Sequence, residues 1–132
     1  MIVFPNCKIN LGLRILRKRQ DGYHDLETIF FPIPVTDILE IRLQRHENGE
    51  FKFIQTGFPI TGPLEENSCI KAYQLLKNRF PLLKSVDIHL HKNIPTGAGL
   101  GGGSADSAFM LQGLNELFQL SLSHHDLAAL SL

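Results

Sequence analysis

The sequence predicts an α+β fold, read as one domain over residues 1–132. Three observations carry this. Period-two apolar alternation fills the first half, at Ile9, Leu11, Leu13 and Ile15 and again at Leu39, Ile41 and Leu43. A capped helix then precedes one further alternating run, Val86, Ile88 and Leu90, and a glycine-rich loop with two more helical stretches follows it. The regular strand–helix alternation of a doubly wound parallel sheet is missing.

Each element has its own signal. From Ile9 to Ile15 the apolar residues lie on one face of a strand, with Lys8 and Asn10 together on the other. Arg17 to Gly22 is a polar turn that is tightest at Asp21-Gly22. A second extended run goes from His24 to about Ile33, where Pro32 and Pro34 end it or place it on a sheet edge. Thr36-Asp37 turns the chain into a strand over Ile38 to Gln44. Asn48-Gly49 is a hairpin signal, with Phe51 to Gln55 as the returning strand. Gly57 to Glu66 is a loop holding Pro59 and Pro63. Asn67 or Ser68 caps a helix that runs to about Arg79 and is followed by Pro81. After the strand at Val86 to His91, a helix opens near Ser104 and runs to about Phe118. Ser123 caps a last helix, with Asp126 in its first turn. That helix is barely two turns long when the sequence stops at Leu132, so the reading is of a domain incomplete at its C-terminal end.

Composition narrows the function class. A chain of 132 residues can bury roughly two thirds of its unfolded surface. Hydrophobic residues make up 43% and charged residues 20%, a globular balance. Thirteen Lys and Arg against thirteen Asp and Glu give zero formal charge, which argues against a protein built to grip a nucleic-acid backbone. The cluster Arg14, Arg17, Lys18 and Arg19 is followed by Asp21, Asp25 and Glu27, and reads as a solvated turn. No run of about 18 apolar residues and no signal-peptide pattern occurs, so a cytoplasmic protein is expected. Cys7 and Cys69 lack metal-ligand spacing and read as buried thiols. His89 and His91 share a strand face without a third ligand in view, and His124-His125 read as surface residues.

The segment Pro95-Thr96-Gly97-Ala98-Gly99-Leu100-Gly101-Gly102-Gly103-Ser104-Ala105 carries the chemistry. Five of the nine residues 95–103 are glycine. Such a backbone can adopt positive φ, approach a ligand closely and turn its N–H groups on an anion. A helix N-terminus directly behind adds unpaired N–H groups and partial positive charge. Ser104 can cap that helix or reach a phosphate. A ligand-free flexible loop is the plainer alternative, but linkers seldom run straight from an alternating strand into a helix. A Walker A loop would end in Gly-Lys-Ser/Thr, which is absent. Gly97, Gly99 and Gly102 fit G-x-G-x-x-G, yet no second strand with an acidic end follows about 20 residues on, as a dinucleotide fold needs.

The extended form Pro-x-Gly-Ala-Gly-Leu-Gly-Gly-Gly-Ser-Ala resembles the phosphate-binding motif of the GHMP kinases. Pro5-Asn6-Cys7-Lys8-Ile9-Asn10-Leu11 and Asp21-Gly22-Tyr23-His24 are similar to the opening motifs of the branch that acts on a cytidine-diphosphate-linked methylerythritol, and Asn67 matches an Asn ahead of the first helix. The resemblance implies the N-terminal GHMP kinase domain, a fold like the second domain of ribosomal protein S5, with a second domain beyond it. It implies ATP-dependent phosphorylation of the 2-hydroxyl of that substrate on the non-mevalonate route to isoprenoids, with Mg²⁺ as the ATP counter-ion. In this reading residues 95–105 hold the ATP phosphates and Lys8 is the catalytic lysine. Asn10 lines the sugar-alcohol end, and Tyr23 and His24 hold the cytosine. The family's general-base aspartate lies in a motif beyond the helix that opens at Ser123. Neither Asp106 nor Asp126 stands in its context, so this piece is expected to be inactive or nearly so and to self-associate through surface a second domain would cover. A nucleotide-binding module without chemistry and an S5-like RNA-binding domain are the alternatives.

Overall fold

The computed structural model describes residues 1–44 and 51–131. In chain order these form β1 (Ile2–Val3), β2 (Asn6–Lys18), β3 (His24–Thr36), β4 (Ile38–Leu43) and β5 (Lys52–Gly57). A 3-10 turn (Leu64–Glu66), α1 (Ser68–Arg79), β6 (Val86–Lys92), α2 (Gly102–Leu117) and α3 (His124–Leu130) follow. The α+β class expected from the pattern is the class observed. Among the described residues no helix is long and apolar enough to cross a membrane.

Two sheets divide the strands. One has four strands in the order β1-β4-β6-β5, and the other is the β2–β3 pair alone. In the first sheet β6 runs antiparallel to β4 and parallel to β5, with α1 as the crossover from β5. This corrects one sequence expectation. The strands flanking Asn48-Gly49 are not hairpin partners, because β6 lies between them; the turn itself falls outside the described residues. A two-residue turn signal reports local backbone preference, and here burial of β6 at the sheet centre overrides the pairing it suggests. The central strand is buried at every second residue, Val86, Ile88, Leu90 and Lys92. The first three pack with Leu39 and Ile41 of β4 against Tyr73 and Leu76 of α1 and Met110, Leu111 and Leu114 of α2. Gly113 lets α2 settle on β4, since a Cβ there would lie 2.7 Å from Ile41 Cδ1.

The second sheet is a long ribbon. β3 continues through Pro32 and Pro34 to Thr36, past the end expected near Ile33. The register explains the tolerance. Lys8 pairs with Pro32, and the Lys8 N–H donates to Leu100 O at 3.0 Å, away from β3. This is therefore a non-hydrogen-bonded pair, and the missing proline N–H removes no ladder bond. β2 also starts earlier than Ile9, at Asn6, because Lys8 is tied into the loop behind it.

The caps of α1 and α3 follow the sequence. The Asn67 side chain accepts from Cys69 N at 2.9 Å at the start of α1. At α3 the Ser123 hydroxyl accepts from Asp126 N at 3.1 Å, and the Asp126 carboxylate accepts from Ser123 N at 3.0 Å. The Ser123 hydroxyl, donating to Asp126 Oδ2 at 2.6 Å, and then the Ser123 N–H hold the Asp126 carboxyl below its ordinary range.

Candidate active site

Residues 95–105 leave β6 and enter α2 through a loop that alternates between ordinary and left-handed backbone. Gly97, Gly99 and Gly101 have φ of 74°, 74° and 72°. Gly101 is the N-cap of α2 and offers no side-chain bond, so the first-turn N–H groups of Gly102, Gly103 and Ser104 keep no capping partner. The helix starts at Gly102, two residues before the expected Ser104. Ser104 therefore lies inside the first turn and does not cap it, while it stays exposed beside the cleft. The glycines are required by close approach as well as by φ. A Cβ on Gly101 would lie 3.2 Å from Lys8 Cε, and one on Gly102 2.8 Å from Ile94 Cγ2. Pro95, Thr96, Ala98 and Gly99 are exposed, Leu100 is half-buried, and Ala105 donates to Gly101 O to close the first helical turn.

Lys8 meets this loop. Its ammonium donates to Gly99 O at 2.9 Å and to Asn10 Oδ1 at 2.5 Å, and it lies 5.1 Å from the centre of the Phe30 ring. The cleft beside it has a volume of about 880 Å³ and is bounded by Lys8, Asn6, Phe30, Ser68 and the start of α2. Two segments far apart in sequence, β2 with Lys8 and Asn10 and the glycine loop, are thus brought together. Asn10 in turn donates from Nδ2 to Thr28 Oγ1 at 3.1 Å.

Tyr23 and His24 are not brought to the cup. They lie at the far tip of the ribbon, where Tyr23 is 74% exposed. His24 pairs with Lys18 and Pro32 with Lys8, which separates the two ends by about 26 Å at 3.3 Å per residue. Opposite residues of an antiparallel pair share a face. Following the register through its bulges puts Lys8/Pro32, Asn10/Phe30, Leu13/Thr28, Ile15/Leu26 and Lys18/His24 on one face, so the extra residue at Gly12 overturns the expectation that Leu13 and Ile15 lie opposite Lys8 and Asn10. His24 is therefore in line with Lys8 and Asn10 along a single track. The other face carries the ion pairs of Arg17 with Asp25 and Arg14 with Glu27, while Arg19 pairs with Asp21 at the turn, so three of the four basic residues are paired within the ribbon.

A buried ion triad beneath the loop was not singled out from the sequence. The Lys92 ammonium, fully enclosed, donates to Asp37 Oδ2 and, at 2.7 Å, to Asp106 Oδ2. Asp37 Oδ1 accepts from the backbone N–H groups of Asn93 at 2.6 Å and Ile94 at 2.8 Å, pinning the exit of β6. Burial pulls the Lys92 amine down, but the hydrogen bonds it donates to Asp106 and Asp37 outweigh this and hold the ammonium above its usual range. Burial pushes the Asp106 carboxyl up to about 6 despite the same ammonium. Burial first, and then the Asp106 charge, raise the Cys69 thiol, so it is no nucleophile. The signal was present in the pattern. Continuing the inward alternation of β6 from Val86 reaches Lys92, and stepping four residues back from Met110 along α2 reaches Asp106.

The other polar candidates have structural partners. Thr56 Oγ1 lies 2.9 Å from His89 Nε2 and 2.8 Å from His91 Nδ1. Among the described residues no group of three or more His, Cys, Asp and Glu side chains is placed to hold a metal ion.

Comparison with known proteins sets this geometry in a lineage. Residues 67–132 match the family described as GHMP kinases N terminal domain. The chain is 56% identical over 127 residues to the 4-diphosphocytidyl-2-C-methyl-D-erythritol kinase of Bacteroides fragilis, covering 96% of this chain and 46% of the relative. It is 54% identical over 123 residues to the protein of the same name from Cytophaga hutchinsonii, covering 93% and 44%. A crystal structure of 4-(cytidine 5'-diphospho)-2C-methyl-D-erythritol kinase superposes with a TM-score of 0.76 at 33% identity, covering 99% of this chain and 46% of that one. The chain spans about half the length of the curated relatives it matches. A glycine cup at a helix N-terminus, a lysine reaching into it, and more than half of all residues shared with these relatives make this chain a member of the GHMP kinase family.

Proposed function

We propose that the chain supplies the phosphate cup and the catalytic lysine of a kinase that transfers the γ-phosphoryl group of ATP to the 2-hydroxyl of 4-diphosphocytidyl-2-C-methyl-D-erythritol. The observation that carries the reading is the Lys8 ammonium at 2.9 Å from Gly99 O, inside the loop that opens into α2. Phosphoryl transfer asks a protein for positioning and charge neutralisation more than for covalent chemistry. The N–H groups at the start of α2 supply fixed dipoles for the phosphate oxygens. An ammonium about 4 Å from a developing alkoxide favours it by about 4 kcal/mol at an effective dielectric near 20. Mg²⁺ enters as the counter-ion of ATP.

Asn10 sits beside Lys8 to receive the acceptor alcohol, and the ribbon track gives an extended substrate somewhere to lie. Phe30, Leu13, Ile15 and Leu26 offer apolar contact along it, and Tyr23 and His24 at its tip offer stacking and hydrogen bonds to a pyrimidine. Base stacking on such a ring contributes on the order of 1–3 kcal/mol. The names of the relatives favour this substrate.

A second reading is nucleotide binding without transfer by these 132 residues alone. It is favoured by the cleft lining, which includes no carboxylate among the described residues to take the hydroxyl proton. Two measurements separate the readings. Calorimetry of the chain with the Mg²⁺ complex of a non-hydrolysable ATP analogue tests the cup. A chimaera in which this chain replaces the aligned segment of the Bacteroides fragilis relative tests transfer to the cytidine-diphosphate substrate. Turnover is expected in the chimaera, and Lys8→Ala should lower it on the order of 100-fold or more. Absent turnover, or a Lys8→Ala chimaera as fast as its parent, would overturn the kinase reading.

A further inference from the structure

We propose that Thr28 is a positioning residue for the Lys8 ammonium, acting through Asn10. The proposal rests on the kinase reading only for its effect on turnover, since the geometry can be measured on the chain itself.

Thr28 Oγ1 donates to Gly12 O at 2.6 Å. A carbonyl oxygen only accepts, so the single hydroxyl proton of Thr28 is committed to it. Towards Asn10 the Thr28 oxygen can then only accept. The amide of Asn10 must present Nδ2 to Thr28, at 3.1 Å, and Oδ1 to Lys8, at 2.5 Å. Reversing the amide would set Nδ2 against the ammonium, donor against donor. The hydroxyl of Thr28 thus fixes which end of Asn10 faces Lys8, and with it one of the two acceptors that hold the ammonium at the glycine loop.

The origin of this order is a backbone feature. Gly12 has φ of 69°, and the β2–β3 register shifts between Leu11 and Leu13, so Gly12 is the extra residue of a bulge. The bulge keeps Thr28 on the Asn10 face and turns the Gly12 carbonyl to meet its hydroxyl. A relay runs from Gly12 through Thr28, Asn10 and Lys8 to Gly99 O. Thr28 reaches the ammonium only through Asn10.

Side-chain amide NMR on the 132-residue chain tests the relay. Thr28→Val keeps the shape and removes the hydroxyl; Thr28→Ser keeps the hydroxyl. Thr28→Val should move the Asn10 side-chain NH₂ resonances and speed their exchange with water by roughly tenfold, the effect of one lost hydrogen bond. Thr28→Ser should leave both close to the parent. Should Thr28→Val fail to fold, Thr28→Ala makes the same deletion with a smaller side chain. In the chimaera, Thr28→Val should lower kcat by about 10- to 100-fold, with KM for ATP changed by less than about twofold, and Thr28→Ser should restore kcat. A merely structural role would lower thermal stability without that split. Unchanged Asn10 resonances in the hydroxyl-deleted variant, or equal loss in Thr28→Ser, would overturn the proposal. A chimaera without turnover would strike at the kinase reading and leave the Asn10 measurement to decide Thr28.

Discussion

The four-stranded sheet and the β2–β3 ribbon share an alternating pattern and differ in what the alternation meets. In β6 every inward residue has a helix above it, and Val86, Ile88 and Leu90 are all but inaccessible. Along most of the ribbon the same pattern is left uncovered among the described residues. Leu13, Ile15, Ile29 and Phe30 are each 58–66% exposed. The sheet supplies cooperative stability, and the ribbon carries Lys8 and Asn10 to the loop and extends beyond it. The two regions join at one place, where Lys8 N–H bonds to Leu100 O and Asp37 N–H to Pro5 O. The side chains proposed to act on substrate therefore hang on an exposed element whose base is anchored to the core.

The charged pairs sharpen this contrast most. Lys92 is enclosed with Asp37 and Asp106, whereas Arg17 and Asp25 pair at 2.5 Å in the open. Removing one partner of a buried pair strands the other charges, which costs about 3–5 kcal/mol. Lys92→Met should lose that much, read as the urea midpoint, and Arg17→Ala should lose about 0–1 kcal/mol. A Lys92→Met protein within about 1 kcal/mol of its parent would show that the triad is not a structural centre of the core.

Apolar truncation asks the same question with smaller numbers. Leu76 is inaccessible in α1, and Ile15 is 62% exposed on the ribbon. Leu76→Ala should cost about 2–5 kcal/mol and Ile15→Ala under about 0.5 kcal/mol. A comparable loss at Ile15 would mean that the ribbon is covered in solution, as it would be if copies associate through it. Sedimentation of the Ile15→Ala protein beside its parent then identifies that cover.

The same division explains what was legible in the sequence. Strand runs, helix caps at Asn67 and Ser123 and the glycine loop follow from residues close together in the chain, and all are observed. Lys8 and Asn10 on one strand face followed from period two. What local pattern did not yield is pairing at a distance. The Asn48-Gly49 signal pointed to a hairpin, while β5 pairs with β6 in parallel through a helical crossover. Nor does motif order give the distance between Lys8 and the pair Tyr23 and His24, which a ribbon of thirteen-residue strands sets at its two ends. The triad needs β4, β6 and α2 to converge, so its members read singly as an ordinary turn Asp, a strand-end Lys and a helix Asp.

The smallest expected effect is the dependence of the core on pH, which enters through Asp106. Its carboxyl titrates at about 6 in the folded chain because burial disfavours the charged form, against about 3.9 for an unfolded Asp. The groups facing it are the Lys92 ammonium at 2.7 Å, Asp37 across that ammonium, and the Cys69 thiol, which stays protonated. The sign follows from proton counting. Between about pH 4 and 6 the folded chain binds more protons at this site than the unfolded one, so stability falls as pH rises through that window. The stabilisation is complete below about pH 4 and gone above about pH 6, a change of about 3 kcal/mol at most. Asp106→Asn removes the titration and keeps an oxygen for Lys92. From pH 4.5 to pH 7.5 the denaturant midpoint of the parent should therefore fall relative to that of the variant, because the parent alone loses this component. Ribbon carboxylates such as Asp25 and Glu27 are present in both proteins and cancel in the difference. An Asp106→Asn protein with the same pH dependence as its parent would mean that the triad keeps both carboxylates ionised throughout, held by Lys92 more strongly than burial opposes them.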